Sequence, residues 1–218
     1  MFIKVWRKLK NWLFPSCPWI AFLGVDGSGK SSVIQALTET LPPTGYAGLF
    51  VLHRRPRIVY RQATAVRQGK IEHYHKPPHS SWRSVLKLAA MWLDWLVGYV
   101  VYVHGRRARG FLVIADRHSL LDVQADPLRY RYGGSPRWAR LAARFLPMPN
   151  VVLLLDAPTA VLQTRKQELT VEKMNELRQN YLNLVQTCGC GCVIAASQPL
   201  DQVVADVREV IEKARVLR

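Results

Sequence analysis

An eight-residue segment from Gly24 to Ser31, which reads GVDGSGKS, constrains the fold of this chain more than any other feature. It satisfies the pattern GxxxxGK[ST] in full, and it lies directly between an apolar run that predicts a strand and a run that predicts a helix. Glycines in such a loop let backbone N–H groups face inward around phosphate oxygens, and the following helix adds the positive end of its dipole. The segment therefore predicts a phosphate-binding loop in an α/β protein.

Short apolar runs alternate with helical stretches along the rest of the chain, which is typical of a parallel sheet covered on both faces by helices. The 218 residues suffice for one sizeable core, so we expect a single three-layer α/β/α domain. The predicted strands are 19–24, 48–53, 111–116, 151–156 and 192–196. The predicted helices are 30–40, 81–104, with Ser80 as its cap, 135–145, 159–168, 171–187 and 200–215.

Two residues of the loop and two at the end of the third strand carry the expected chemistry. Lys30 can reach the β- and γ-phosphates of a nucleotide, and the Ser31 hydroxyl can ligate magnesium. Asp116 ends the third strand, where the active groups of a parallel sheet gather, and an acid there would share the metal ion. Arg117 follows and would face the acceptor. These residues predict a magnesium-dependent phosphotransferase that uses ATP.

Further segments resemble the thymidylate kinases in the order in which they occur. Residues 25–32 match the loop that opens that family, and Asp116-Arg117-His118 resembles its Asp-Arg-aromatic motif. Residues 152–156, followed by Arg165-Lys166, resemble the fourth strand and the basic segment called the lid. Residues 195–203, AASQPLDQV, closely resemble the adenine-side loop and the start of the last helix. The resemblance extends roughly from Trp19 to the carboxyl terminus.

The resemblance implies a P-loop kinase fold with strand order 2-3-1-4-5, and transfer of the γ-phosphoryl group of ATP to thymidylate. Asp26 would contact a sugar hydroxyl of the acceptor, Arg117 its phosphate and Arg165 the transferring phosphoryl group. The implied catalytic residues are Lys30, Asp116, Arg117 and Arg165. The implied ATP-binding residues are Gly24, Asp26, Gly27, Ser28, Gly29, Lys30, Ser31, Ser32, Arg165, Ala196, Ser197, Gln198 and Pro199. The implied acceptor-binding residues are Asp26, Arg55, Asp94 and Arg117, and the implied metal ligands are Ser31 and Asp116.

Two departures from the family, and a histidine-rich segment between them, concern the acceptor. Trp95 stands where the family has a base-fixing arginine, and the segment from His53 to Arg57 lacks the family's glycines. Residues 72–79 hold three histidines, in spacing that fits no standard zinc site, and form either a contact surface for the acceptor or a solvated loop. The acceptor is therefore a nucleoside monophosphate or, as in thymidylate-kinase-like proteins of polysaccharide biosynthesis, a sugar or sugar phosphate.

The formal net charge of +16 attracts phosphates, nucleic acids and anionic lipids alike. Residues 1–13 predict a basic amphipathic helix, which either lies on an anionic membrane or packs on the domain as a leader. The run from Arg129 to Tyr132 alternates arginine with tyrosine, as in single-stranded nucleic-acid sites, but an acceptor pocket is favoured there. A membrane- or nucleic-acid-associated P-loop NTPase is the alternative from another functional class.

The apolar segment 85–103 approaches the length of a membrane span. A span there would put the phosphate loop and Asp116 on opposite sides of the membrane, so we predict a long buried helix instead. Cys188, Cys190 and Cys192 are too closely spaced for a usual zinc cluster or for a disulfide framework, which favours a reducing, cytoplasmic location.

The expected organisation is an amino-terminal segment 1–16 and a kinase domain 17–218. The domain would have an acceptor-side region at 54–110 and a lid at 163–172. A homodimer is a further expectation.

Overall fold

The computed structural model describes Trp12, Pro15 and Pro56 together with residues 17–40, 45–53, 76–166 and 169–216. The strands are β1 (Trp19–Leu23), β2 (Gly48–His53), β3 (Phe111–Asp116), β4 (Val151–Asp156) and β5 (Gly191–Ala195). The helices are α1 (Lys30–Thr40), α2 (Ser81–Ala108), α3 (Ser119–Ala125), α4 (Pro136–Arg144), α5 (Thr159–Arg165), α6 (Val171–Thr187) and α7 (Leu200–Val216). A single 3-10 turn, Leu128–Tyr130, follows α3.

The five strands form one parallel sheet in the order β2-β3-β1-β4-β5, which confirms the predicted fold and strand order. β1 lies in the middle, and each of its five side chains is buried because sheet neighbours and helices cover it on every side. Phe22 of β1 pairs in register with Asp116 of β3. The carboxyl ends of β1 and β3 therefore lie side by side, and the phosphate loop begins at that edge.

Helix α2 differs from the prediction in length and in burial. It continues past His104 to Ala108 through a π-helical segment, Tyr99–His104. Leu88, Met91 and Trp95 on one face are buried in the core, while the opposite face exposes apolar side chains. The exposed apolar residues of α2 are Trp82, Val85, Leu86, Leu93, Val100 and Val101. By length and composition alone α2 could cross a membrane, yet a third of its most apolar window is buried inside the domain, so the predicted burial holds for one face only.

The other differences concern short elements and helix ends. Ser80 occupies the amino-terminal cap of α2, as predicted, but its side chain makes no capping hydrogen bond. The predicted helix 159–168 ends at Arg165, and β5 begins one residue earlier than expected. Helix α3 was not predicted, because six of its seven residues are buried and the segment therefore lacks the apolar-polar period of a surface helix.

Candidate active site

The loop between β1 and α1 has a backbone that only glycines adopt without strain. Gly24, Gly27 and Gly29 have φ angles of 140°, 89° and 85°. A Cβ atom at Gly24 would lie 2.8 Å from the Leu155 carbonyl oxygen and from Ser28 Oγ. A Cβ atom at Gly29 would meet nothing within 4 Å. The predicted glycines are therefore required for the shape of the loop, which is open on the side of Gly29.

Lys30 extends its ammonium group into this loop. Its Nζ donates hydrogen bonds to the carbonyl oxygens of Gly24 and Val25, both at 2.8 Å, and to Ser28 Oγ at 3.0 Å. Burial and the nearby guanidinium of Arg117 lower the pKa of Lys30 well below its usual value. Phosphate oxygens bound at the loop would reverse this effect, because they favour the charged form of the amine.

A cavity of about 560 Å³ opens beside the loop and contains most of the predicted site residues. Its volume is in the usual range for a small-molecule site. The predicted residues that line it are Asp26, Gly27, Ser28, Gly29, Lys30, Ser31, Ser32, Asp116, Arg117, Arg165, Ala196 and Gln198. Val33, Arg129, Leu200 and Val203 also line it and were not predicted, and so does Lys166, which was expected beside Arg165 in the basic lid. Of the described predicted residues, Gly24, Ser197, Pro199 and Asp94 lie outside the lining.

Ser31 and Asp116 offer two oxygen ligands on the wall of this cavity. Mg²⁺ prefers oxygen donors and usually retains several waters while it binds one or two carboxylates and the substrate phosphates. The described residues contain no group of three or more His, Cys, Asp or Glu side chains that could hold a metal ion by themselves. The donor set therefore fits a nucleotide-bound magnesium ion and does not fit an all-protein metal cage.

Arg117 follows β3 and contacts two carboxylates, those of Asp122 and Asp26. Its φ of 79° is unusual for a residue other than glycine, and such strain is often found at functional sites. Nη1 donates to Asp122 Oδ1 at 2.9 Å, and Nη2 donates to Asp26 Oδ1 at 2.6 Å. Although burial lowers the pKa of the guanidinium, Asp122 and Asp26 raise it by more, so Arg117 carries a full charge.

Arg165 ends α5 directly above the phosphate loop. Its Nη1 donates to the Ala196 carbonyl oxygen at 3.0 Å, so it joins the end of α5 to the segment after β5. A Cβ atom at Gly27 would lie 3.2 Å from Lys166 Cβ and 3.3 Å from the Leu162 carbonyl oxygen. The carboxyl end of α5 therefore approaches the loop closely, which agrees with the placement expected for a basic lid. Residues 167 and 168 of that predicted lid lie outside the described residues.

The predicted acceptor-binding residues fall into three groups. Asp26 and Arg117 line the cavity and contact each other, whereas Asp94 is fully buried within α2, outside the lining. Arg55 lies outside the described residues, as do residues 72–75 of the histidine segment and most of residues 1–13. His79, the last residue of that segment, lines a second recess with Arg83 and Lys87 on α2.

Trp95 is part of a buried aromatic cluster beside the site. Its ring stacks on His118 with centroids 4.0 Å apart, and the Trp19 ring lies 5.8 Å from each of the two. The indole N–H donates to Ser119 Oγ at 2.8 Å. With 1% of its surface exposed, Trp95 is a core residue and offers no hydrogen-bonding group to the cavity.

Arg129 is the main cationic residue of the site that sequence reasoning did not assign. It was noted only as part of an arginine-tyrosine run, and that run now has identified contacts. Arg129 Nη2 donates to Asp26 Oδ2 at 2.7 Å, and Tyr130 donates to Asp122 at 2.8 Å. Arg131 donates to the Pro77 carbonyl oxygen on the surface. The one signal in the sequence was the high density of arginines after Asp116. The pairing of Arg129 with Asp26 could not be predicted, because the two residues are distant in sequence.

The parallel sheet in this strand order and the glycine loop with its lysine define a P-loop nucleotide-binding protein. A family model described as thymidylate kinase matches residues 22–207. A thymidylate kinase from Thermosipho africanus is 24% identical over 208 residues, which cover 89% of this chain and 97% of the relative. A probable thymidylate kinase from Pyrobaculum aerophilum is 26% identical, with coverage of 89% and 96%.

A dipeptide transport ATP-binding protein from Caldanaerobacter subterraneus is 26% identical over 170 residues, which cover 73% of this chain and 51% of the relative. That similarity reaches only half of the transport protein, whereas the thymidylate kinases match over nearly their whole length. The chain belongs to the thymidylate kinase family, and it is a P-loop nucleoside monophosphate kinase that uses ATP as phosphoryl donor.

Proposed function

We propose that the protein transfers the γ-phosphoryl group of ATP to thymidylate, which yields thymidine diphosphate and ADP. One observation carries the proposal: the loop that holds Lys30 and the pair formed by Asp26 and Arg117 line the same cavity. A donor nucleotide at the loop and an acceptor at this pair would meet within it. Holding both in reactive geometry supplies much of the rate enhancement in phosphoryl transfer.

Each basic residue of the cavity has a separate role in the proposal. Lys30 binds the β- and γ-phosphates, and Arg117 orients the acceptor phosphate. Arg165 neutralises the charge that builds up on the transferring phosphoryl group, since a guanidinium from a lid can approach its equatorial oxygens and exclude water. Ser31 and Asp116 would hold Mg²⁺, which bridges the phosphates and offsets their charge. Ala196, Gln198, Leu200 and Val203 would flank the adenine.

A sugar or sugar phosphate is the second candidate acceptor, and the position of Trp95 favours it. The side chain that replaces the family's base-fixing arginine is buried against His118, so it cannot hydrogen-bond a pyrimidine. A neutral sugar hydroxyl is a weaker nucleophile than a phosphate, and its attack would need a general base. Asp116 is the candidate for that base.

The test is a product assay with pure protein, ATP and magnesium, in which thymidylate, the other nucleoside monophosphates, sugars and sugar phosphates are offered separately. We expect thymidine diphosphate and ADP in equal amounts. A phosphorylated sugar in place of any nucleotide product would establish the second candidate. Hydrolysis of ATP that is stimulated by DNA or anionic vesicles, without any phosphorylated acceptor, would contradict kinase function and indicate an NTPase.

We further propose a cytoplasmic homodimer that covers the exposed apolar face of α2. Such a face, with Trp82, Leu86 and Leu93 exposed along one helix, is typical of a contact surface, and a two-fold axis would let two copies cover each other. Leu86→Glu with Leu93→Glu should convert a dimer into a monomer in analytical ultracentrifugation. A wild-type monomer at micromolar concentration would contradict this proposal.

Peripheral membrane contact through residues 1–13 is a separate proposal, which rests on their basic amphipathic sequence. Sedimentation of the full chain with anionic vesicles should fall when Lys4 and Lys8 are changed to glutamate. Equal sedimentation of both proteins, or none of either, would contradict it.

A further inference from the structure

Arg129 lies on the wall of the cavity beside Arg117, and two hydrogen bonds to one buried carboxylate hold it there. Its backbone N–H donates to Asp126 Oδ1 at 3.1 Å, and its Nε donates to Asp126 Oδ2 at 3.0 Å. Asp126 has 1% of its surface exposed, so this carboxylate has almost no access to water. A buried carboxylate that binds Nε fixes the orientation of the guanidinium, and with it the direction in which the Nη atoms point.

Arg117 is held by an equivalent carboxylate one helical turn earlier. Asp122 is fully buried, accepts a hydrogen bond from Arg117 Nη1, and is fixed by the hydroxyl groups of Tyr130 and Tyr181. The Asp126 N–H donates to the Asp122 carbonyl oxygen at 2.8 Å, so the two aspartates are related by the last turn of α3. Two carboxylates one turn apart therefore place two guanidinium groups side by side.

The Nη ends of the two guanidiniums converge on Asp26. Nη2 of Arg117 lies 2.6 Å from Oδ1, and Nη2 of Arg129 lies 2.7 Å from Oδ2 of the same carboxylate. Burial raises the pKa of Asp26, but Arg129 and Arg117 lower it by more, so the carboxylate is ionised. Two N–H groups spaced to grip two oxygens on one atom also match a phosphate, whose oxygens are similarly arranged.

The charges of the cavity wall favour a second phosphate beside that of ATP. Five cationic side chains line it, namely Lys30, Arg117, Arg129, Arg165 and Lys166, against the two carboxylates of Asp26 and Asp116. Lys30 lies at the loop and Arg165 at the end of α5, both on the side of the donor. Arg117 and Arg129 lie together on the side of Asp26, and Asp26 is the one carboxylate of the cavity lining that both of them contact.

We propose that Arg129 and Arg117 form a two-guanidinium site for the phosphate of the acceptor, and that Asp26 holds both groups in place until that phosphate binds. The inference rests on the proposed function, and it makes the acceptor a phosphate monoester. Binding transfers the two Nη2 contacts from Asp26 to the phosphate oxygens. The Asp26 carboxylate is then free to accept a hydrogen bond from a hydroxyl of the acceptor sugar. Asp122 and Asp126 are positioning residues, since they act through the arginines.

The test compares thymidylate with thymidine, which lacks the phosphate, by equilibrium binding to wild type and to Arg129→Ala. Loss of a charge-assisted contact should weaken thymidylate binding by about 10- to 100-fold. Thymidine binding should change by less than about twofold, because the site holds only the phosphate. Arg131→Ala is the matched control, since Arg131 contacts the Pro77 carbonyl oxygen on the surface and lies outside the cavity lining. It should leave both affinities unchanged.

The variant and the wild type answer different questions. The two-guanidinium site would be overturned if Arg129→Ala bound thymidylate as tightly as wild type, or if it lost equal affinity for thymidylate and thymidine. The proposed function would still stand in that case, provided that the wild type phosphorylates thymidylate. Failure of the wild type to bind or phosphorylate thymidylate would instead overturn the proposed function, and the inference with it. If the alanine variant fails to fold, Arg129→Lys replaces it, and the same selective loss for thymidylate is expected because lysine cannot form the paired contact.

Discussion

The two halves of the cavity are stabilised in different ways. The donor half, which consists of the phosphate loop, the end of α5 and the segment after β5, depends on backbone conformation and on contacts with carbonyl oxygens. The acceptor half, which consists of Asp26, Arg117, Asp122, Asp126 and Arg129, depends on ionised side chains that bind one another. Backbone contacts need only a short motif, whereas a charge network needs several residues that are distant in sequence. We therefore expect substitutions in the donor half to affect catalysis alone, and substitutions in the acceptor half to affect stability as well.

The largest effect is expected at Lys30 in the donor half. Lys30→Ala should reduce turnover to background, a loss of at least about 10²- to 10³-fold, because the β- and γ-phosphates lose their buried cation. The fold should remain, as judged by circular dichroism and by the melting temperature. Lys173→Ala, which removes a surface lysine paired with Glu176, is the control and should retain activity. Normal turnover in Lys30→Ala would refute the assigned site.

The next effect concerns stability in the acceptor half. Arg117→Ala removes the guanidinium bonded to the fully buried Asp122, and breaking a buried ion pair by removing one partner costs about 3–5 kcal/mol. Urea denaturation at neutral pH should show this loss in the free energy of unfolding. Arg140→Ala, at an exposed position of α4, should change it by less than about 0.5 kcal/mol. A loss at Arg117 no larger than that of the control would remove the contrast between the two halves.

A smaller effect is expected at Arg165, and it should fall on catalysis. Arg165→Ala should lower kcat by about 10- to 100-fold, since one charge-assisted contact to the transferring group is lost. The affinity for ATP, measured by equilibrium binding, should change much less, because Lys30 and the loop hold the other phosphates. An equal loss in kcat and in ATP affinity would show that Arg165 binds the ground state and has no specific role in the transfer.

The smallest expected effect is a pH dependence of the free energy of unfolding, and it tests the buried aromatic cluster of Trp95 and His118. Burial lowers the pKa of His118 from 6.5 to about 3, and neither ring nitrogen has a hydrogen-bond partner among the described residues. At this position the unfolded chain binds a proton below pH 6.5, whereas the folded chain stays neutral until the pH approaches 3. His118 therefore lowers the free energy of unfolding progressively as pH falls from 6.5 towards 3, and it has no such effect above pH 6.5.

His118→Phe should remove this dependence, since phenylalanine can pack on Trp95 but cannot take up a proton. Between pH 7 and pH 5 the wild type should lose about 2 kcal/mol more of its free energy of unfolding than the variant loses. His53→Gln, at an exposed position in β2, should follow the wild type. Parallel curves for wild type and His118→Phe would contradict a neutral His118 in the folded protein.

The same contrast explains which parts could be predicted from the sequence. The glycines, Lys30, Ser31 and the segment 195–203 lie in short runs whose local conformation is fixed by residue type, and the strands are continuous apolar runs of the usual length. The pairing of Asp26 with Arg129 spans more than a hundred residues and leaves no local pattern. Helix α3, which brings Asp122 and Asp126 into place, is nearly all buried and has no amphipathic period. The exposed face of α2 was not predicted for a similar reason. The type of an apolar residue does not show whether its side chain faces the core or the surface.

A bisubstrate ligand, in which adenosine and thymidine are joined through their 5′ positions by a polyphosphate chain, would test the shared cavity most directly. If the loop holds one end and Arg117 with Arg129 holds the other, this ligand should bind wild type at least about 100-fold more tightly than either ATP or thymidylate. Lys30→Ala and Arg129→Ala should each reduce that gain. An affinity no better than that of ATP, and insensitive to Arg129→Ala, would contradict a cavity that brings donor and acceptor together.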